Sequence, residues 1–455
     1  MNTPELLLPA GGFERMATAF HFGADAVYAG CPRYSLRARN NEFAKLEELQ
    51  KGIDYAHSLG KKFYLASNII AHNAKVKTFL DDLKPMVALK PDALIMSDAG
   101  LIMLAREHFP DMDIHLSVQA NTTNWQAVKF WQKIGVSRII LSRELSMDEI
   151  AEIRQHCPDI ELEVFVHGAL CIAYSGRCLL SGYFNHRDPN QGTCTNACRW
   201  QYSVNPAEID DAGNAIATAG LQQRNREADK VWLIEEENRT GEYMPIMEDE
   251  HGTYIMNSKD LRAVEQIEQL IKIGVDSLKI EGRTKSVYYV ARTAQTYRRA
   301  IDDALQGKPF NPELLADLEG LANRGYTSGF LERHRTQDYQ NYLHGHSIAR
   351  RSQYVGKVLS VDSQGVATVE VKNRFEVGDT LEIICPNGNS FYKVEKISKN
   401  NELIEIAHGN GIEVKLPNMQ GKENSLLAKM LDSEQWVISN EQLLSQIFDL
   451  TDMYR

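Results

Sequence analysis

From Pro4 to about Leu305 short apolar runs alternate with amphipathic segments at a spacing of roughly thirty residues, the cadence of βα units around a parallel sheet. No other feature narrows the fold as far. Eight runs read as strands: Glu5–Leu8, Ala26–Ala29, Lys62–Ala66, Ala93–Met96, Ile114–Val118, Arg138–Leu141, Leu162–Val166 and Ser277–Ile280. Between them Phe13–Phe22, Leu46–Leu59, Val76–Leu89, Gly100–His108, Trp125–Ile134, Met147–His156, Leu261–Ile273 and Val287–Leu305 place apolar residues three and four apart, which predicts helices. Eight such units favour an α/β fold closed as a TIM-like (β/α)8 barrel over an open doubly wound sheet. In a barrel the chemistry gathers at the C-terminal ends of the strands.

The cadence breaks between Gln201 and Met256, where a polar, acid-rich stretch holds short apolar runs such as Val231–Ile234. This predicts small strands inserted between units seven and eight, either a cover over the site or plain decoration. Gly307-Lys308-Pro309 ends the last long helix, and a short helical run follows from Pro312 to Ala322. From Tyr354 to about Leu416 valine-rich alternation with hairpin turns (Asp362-Ser363-Gln364-Gly365, Asn387-Gly388-Asn389) predicts a small antiparallel β-barrel. The expected division is therefore a barrel over 1–306, with a loop at 168–200 and the insertion at 201–256. A helical linker at 307–352, a small β-barrel domain at 353–430 and a tail at 431–455 follow.

Strand ends supply the candidate site. Pro9-Ala10-Gly11-Gly12 and Gly30-Cys31 give tight turns where an anion or cofactor could approach. Later ends contribute Asn68, Asp98, Gln119, Asn121, Arg143, Glu144, His167, Lys279, Glu281 and Arg283. Each alone reads rather as a loop residue in water or a helix cap than as a site residue; together on one rim they point to a site. Lys279, Glu281 and Arg283 alternate, which predicts a shared face on the last strand. There Arg283 binds a carboxylate, or the three form an ion pair closing the barrel.

Four of the seven cysteines lie between Cys171 and Cys198, spaced C-x6-C-x15-C-x3-C just past the seventh strand. Four thiolates in one loop suggest a metal site, zinc or iron–sulfur by ligand count, against the plainer reading of reduced packing cysteines. Only Cys194 and Cys198 form a zinc-type knuckle, and the polar neighbours Arg177, Asn185, Asp188, Asn190 and Asn196 are not core composition. Cys157 and Cys385 read as non-ligands, while Cys31 shares the rim with the cluster. An odd cysteine count with four clustered fits a reducing compartment better than disulfides.

Glu163-x-Phe165-x-x-Gly168-Ala169-Leu170-Cys171-x4-Gly176-x-Cys178-x-x-Ser181 resembles the signature of the collagenase-like peptidase family, number 32 among peptidases of unassigned mechanism. The resemblance spans nearly the whole chain. It implies a TIM-like barrel and, by likeness to the family's hydroxylation proteins, a 4Fe-4S cluster on Cys171, Cys178, Cys194 and Cys198. Its tRNA-modifying members imply prephenate-dependent formation of 5-hydroxyuridine at the wobble position. The partners so implied are a tRNA anticodon loop and a small anionic cosubstrate, prephenate, held by Arg143 or Arg283; the electron donor has no sequence signature. His167, Arg143, Glu144, Lys279, Glu281 and Arg283 are then the catalytic candidates. The family name keeps a peptidase in view, although no Ser-His-Asp order and no H-E-x-x-H motif appears and His167 is poorly aimed as a partner for Cys171. A non-catalytic RNA scaffold with a structural cluster is the third reading.

A net charge of −11 argues against nonspecific coating of nucleic acid, which runs on phosphate neutralisation. A local basic face is still available. Arg333, Arg335, Tyr339, Arg350 and Arg351 lie in a segment mixing arginine, histidine and tyrosine, a composition for tracking a backbone and stacking bases, or for an ordinary linker surface. The sequence shows no secretory leader and no apolar run of membrane-spanning length, so a cytoplasmic location is expected.

Overall fold

The computed structural model describes residues 3–36, 42–170, 259–323, 325–332 and 352–430, with the backbone alone for residue 430 and for five short strands between 207 and 254. Eight parallel strands close a barrel. They are β1 (Glu5–Pro9), β2 (Ala26–Gly30), β3 (Lys62–Ser67), β4 (Ala93–Met96), β5 (Ile114–Leu116), β6 (Arg138–Ile140), β7 (Glu161–Ala169) and, after the insertion, β14 (Ser277–Ile280). Each pairs with its neighbour, and β14 joins both β1 and β7. Such strands are covered on both faces, so they read as unbroken apolar runs: Leu6, Leu7 and Leu8 of β1 are all fully buried.

Around the barrel lie α1 (Phe13–His21), α2 (Leu46–Ser58), α3 (Asn73–Val76), α4 (Phe79–Val87), α5 (Ala99–His108), α6 (Trp125–Lys133), α7 (Met147–His156), α8 (Ile267–Ile273) and α9 (Val287–Leu305). Local chemistry fixes several starts. Ser146 and Glu149 form a capping box on α7, and Asp98 accepts from the Leu101 amide at 3.0 Å to cap α5. The expected single helix over Val76–Leu89 is instead α3 and α4. Tyr34 occupies the break: its hydroxyl donates to Asp82 Oδ2 at 2.8 Å and lies 2.8 Å from Oγ1 of Thr78, the residue before α4.

The insertion contributes β8 (Ala207–Ile209), β9 (Ala215–Ala217), β10 (Trp232–Glu235), β11 (Tyr243–Asp249) and β12 (Gly252–Tyr254), paired antiparallel as β8 with β9 and as β10–β11–β12. The chain then returns as β13 (Asp260–Arg262), antiparallel to β7 with Asp260 opposite Ala169. This corrects the helix expected from Leu261, since pairing across the chain claims the first residues before a 3-10 turn and α8 begin. A short β15 (Tyr326–Thr327) follows α10 (Glu313–Glu319) and lies beside β13.

Residues 352–430 form an antiparallel domain. Its strands are β16 (Ser352–Val361), β17 (Ala367–Val371), β18 (Phe375–Glu376), β19 (Thr380–Cys385), β20 (Gly388–Lys393), β21 (Ile397–Lys399), β22 (Glu402–Ile404), β23 (Ile406–Ala407), β24 (Glu413–Leu416) and β25 (Leu426–Met430). They make a sheet ordered β20-β19-β25-β16-β17-β24-β21-β22 and a separate β18–β23 ladder; no ladder joins β20 to β22 among the described residues. Val355, Val369, Phe375, Leu381 and Val414 belong to its own core. The long helix α9 ties it to the barrel. Arg292 pairs with Glu382, Gln295 donates to Asn389 Oδ1 at 2.8 Å, and Tyr288 stacks on Tyr354 with centroids 5.4 Å apart.

Candidate functional site

The interior of the barrel is polar. Arg138 meets Glu5 at 2.6 Å, Glu161 at 2.7 Å and Glu163 at 3.2 Å; Lys279 meets Glu163 at 2.7 Å, and the Tyr64 hydroxyl donates to Glu5 at 2.6 Å. Glu163 is fully buried and Lys279 nearly so, and removing one member of such a pair costs about 3–5 kcal/mol. Lys279 is paired inside the barrel with Glu163, a residue outside the expected trio of Lys279, Glu281 and Arg283. Burial pulls its ammonium below the ordinary lysine value, while the Glu163 carboxylate works against that.

Above this floor opens the mouth. The Tyr28 hydroxyl faces the Ile280 carbonyl at 3.0 Å and Glu281 Oε2 at 3.1 Å, and Lys279 Nζ lies 4.3 Å from the centre of the Tyr28 ring. Burial raises the Tyr28 phenol well above its usual range; Glu281 adds to that, and Arg283 and Arg143 oppose it. Arg283 donates to Ser35 Oγ at 2.8 Å. Across the mouth the Arg143 guanidinium sits 3.9 Å over the Phe165 ring and donates to the Ala169 carbonyl at 3.2 Å. Two guanidinium groups and a Tyr–Glu pair thus share one end of the barrel, an arrangement that can clamp a carboxylate and hold a proton beside it.

The strand β14 stops at Ile280, so Lys279, Glu281 and Arg283 do not alternate along one strand as expected. Gly282, at φ +141°, turns the chain between the last two and brings Arg283 back over the rim. The early glycines serve the same residue. A Cβ on Gly11 would lie 2.0 Å from the Arg283 carbonyl oxygen, and one on Gly30 would lie 2.8 Å from its guanidinium, so the room expected for an anion is taken by the chain's own arginine.

The far side of the mouth carries amides and hydroxyls. Asn68 Nδ2 donates to Gln119 Oε1 at 3.2 Å, its Oδ1 accepts from the Leu36 amide at 3.3 Å, and Ser117 bonds Gln119. Asn121 adopts the left-handed region at φ 52°. Asp98 is engaged as a helix cap that also accepts from the Ala71 amide at 2.9 Å, and Glu144 is bonded to Ser142. Tyr28 and Ser35 were not singled out in the sequence, and Phe165 entered only as part of the family signature. The available signal was a tyrosine amid small residues in Ala26–Gly30, at an inward position of the strand.

His167 does not reach the mouth. The β7–β14 register shifts by one between Lys279 and Ile280, so β7 carries one extra residue and its alternation reverses. The imidazole consequently packs against Tyr289, Tyr297 and Tyr326 behind the strand. Tyr297 gives its proton to the Val166 carbonyl at 2.7 Å and lies 3.3 Å from His167 Nδ1, so Nδ1 carries the imidazole proton. Burial is the largest cause that pushes this ring down to about 3. A neutral, enclosed imidazole is a packing group here.

Cys171, Cys178, Cys194 and Cys198 lie outside the described residues, as do Arg333, Arg335, Tyr339, Arg350 and Arg351. The ends of the cysteine-bearing excursion are described. The chain leaves the C-terminal rim at Leu170 and returns at Lys259, adjacent to the Ala169–Asp260 pair. Among the described residues no group of three or more His, Cys, Asp or Glu side chains is placed to hold a metal. Cys31 is buried with Sγ 3.3 Å from Met86 Sδ, and burial raises its thiol far above the usual value; Cys157 is buried too and Cys385 partly so. No helix among the described residues is long and apolar enough to cross a membrane.

Comparison with known proteins adds the following. Residues 11–341 match the family described as Peptidase family U32, and residues 350–428 match the Peptidase family U32 C-terminal domain. The tRNA hydroxylation protein P of Escherichia coli (strain K12) is 60% identical over 436 residues, covering 93% of this chain and 95% of its own length. A Haemophilus influenzae protein of the same name is 59% identical over 422 residues, covering 90% and 92%. A Porphyromonas gingivalis protein named Collagenase is 28% identical over 424 residues, covering 90% and 93%. A solved U32 peptidase, 13% identical, covers 62% of this chain and 94% of its own at a TM-score of 0.37.

Proposed function

The chain belongs to peptidase family U32, and from that premise we propose that it hydroxylates tRNA, forming 5-hydroxyuridine at the wobble position with prephenate as cosubstrate. The observation that carries this reading is one rim bearing Arg143, Arg283, Tyr28 and Glu281, from which the four-cysteine segment departs and to which it returns. The high identity to proteins named for tRNA hydroxylation supports the reaction class. Cys171, Cys178, Cys194 and Cys198 would hold a 4Fe-4S cluster, four thiolates being a complete donor set. When bound, such a cluster supplies one-electron transfer.

The chain's own residues have separable tasks. Arg143 and Arg283 bind the carboxylates of the anionic cosubstrate, which a guanidinium can engage bidentately. Phe165, under Arg143, keeps that guanidinium flat and excludes water from one wall. Tyr28 and Glu281 share a hydrogen bond and hold or move a proton at the Tyr28 oxygen. Lys279, paired below with Glu163, keeps a positive charge under the Tyr28 ring. The C-terminal domain and the 333–351 segment hold the anticodon loop, whose unstacked bases suit recognition of single-stranded RNA.

Nucleoside analysis of tRNA tests this. In cells lacking the gene, wild type restores wobble 5-hydroxyuridine, and Cys171→Ala and Arg283→Ala do not. Restoration by Cys171→Ala would overturn the reading. The peptidase alternative is favoured by the collagenase-named relative. It predicts gelatin cleavage by the purified chain that survives both Cys171→Ala and chelation.

A further inference from the structure

A cavity lies away from the barrel mouth, between the barrel and the C-terminal domain. Its volume is about 420 Å3, and its walls come from the entry to α9, the turn after α10 and the first residues of β16; Lys285, Ser286, Tyr289, Ala322, Gln353 and Tyr354 define it. Ser286, Ala322 and Gln353 are exposed, so the cleft opens to solvent along one side. That volume lies in the range that holds one nucleotide-sized ligand.

Its chemistry is that of an anion site beside an aromatic wall. The first turn of α9 opens onto the cleft. Ser286 caps the Tyr289 amide at 3.2 Å, and the other first-turn amides have no partner within the helix by geometry. The positive end of a nineteen-residue helix and the ammonium of Lys285, 5.3 Å from the centre of the Tyr289 ring, both favour a phosphate. On the opposite wall Tyr354 lies flat against Tyr288, with an interplanar angle of 18°. The Tyr354 hydroxyl is buried with no hydrogen-bond partner among the described residues, so it is the ring and not the hydroxyl that this wall offers. Glu14 and Glu370 are the carboxylates near that hydroxyl, and Lys357 and Lys372 neutralise them at 2.9 Å and 2.6 Å. One side chain links this cleft to the mouth. Tyr289 lines the cleft and donates its hydroxyl to the Glu281 carbonyl at 2.7 Å.

We propose that the interdomain cleft binds one nucleotide of a single-stranded RNA segment, phosphate at Lys285 and the α9 N-terminus, base against Tyr354, while a neighbouring nucleotide of the same strand enters the barrel mouth. The proposal rests on the tRNA reading above. An open groove suits a continuous strand, which must enter and leave, better than it suits a free metabolite.

The test measures binding of a fluorescent anticodon stem-loop RNA, and separately of uridine 5′-monophosphate, to the full chain. Lys285→Glu places a carboxylate at the phosphate position, and Ala322→Trp obstructs the cleft from an exposed position. Each weakens stem-loop binding about tenfold or more with an unchanged melting temperature, and Lys285→Glu lowers the salt dependence by about one phosphate contact. Lys285→Arg retains binding. Wild-type affinity in both Lys285→Glu and Ala322→Trp overturns the proposal, as does loss of mononucleotide binding alone with the stem-loop unaffected. Stem-loop binding that depends on Lys285 in a chain that never hydroxylates tRNA would sink the functional reading and leave the cleft assignment standing. A wild-type chain that does not bind the stem-loop overturns both.

Discussion

At the scale of single residues, His167 shows how an inserted position changes a side chain's role. In the sequence it sits at a strand end four residues before Cys171, where a catalytic group was expected; the extra residue in β7 turns it to the helix layer. A register shift depends on the partner strand, so no local pattern discloses it. The consequence is measurable. Unfolded His167 takes up a proton below its ordinary value of 6.5, whereas burial holds the folded ring down to about 3. Stability from this residue is complete above pH 6.5 and is lost as the pH falls towards 3, by about 2 kcal/mol at pH 5. Urea unfolding at pH 7 and pH 5 should show that loss in wild type and a smaller one in His167→Phe. His115, buried and also displaced downward, keeps its share in both. The arginines and carboxylates of the mouth were visible in the sequence because they stand at strand ends. Tyr28 was missed because Glu281, its hydrogen-bond partner, is brought near only when β14 closes on β1.

At the scale of elements, most of the barrel was legible because strands covered on both faces leave apolar runs that end within a residue or a few of the observed strands. The exceptions were set by distant partners. β13 exists because β7 offers it a ladder, and the α3–α4 break lies where Tyr34, distant in sequence, meets Thr78 and Asp82. Gly168 is the joint where β7, β13 and the end of β14 meet. Its φ of +108° disfavours any side chain, and a Cβ there would lie 2.7 Å from the Glu281 carbonyl oxygen. Gly168→Ala should therefore cost about 1–3 kcal/mol from backbone strain and shift Glu281 away from Tyr28. Thermal melting and tRNA hydroxylation assayed together check this. A variant with wild-type melting and activity would show that the joint is not strained.

At the scale of the molecule, two cores are joined through α9. Arg292 is buried in that seam, held by Glu382, by the Tyr288 hydroxyl at 3.4 Å and by Asp317 at 3.6 Å. Arg292→Ala strands Glu382 without its charge partner, a loss of about 3–5 kcal/mol for a buried pair. Calorimetry of the full chain should then resolve the barrel and the C-terminal domain as separate transitions; a single unshifted transition would show that coupling runs elsewhere. The sequence indicated two units from their different periodicities. It did not show that α9 belongs to both, since each of its faces looks like an ordinary amphipathic stripe.

The Ala169–Asp260 pairing ties the neck of the excursion shut. β14 closes on β1 and β7 without running through residues 171–258. With its two ends held together, lengthening that segment adds little closure entropy. The barrel can therefore close whatever the length of that segment, in a family whose relatives bear names as different as tRNA hydroxylation protein and collagenase.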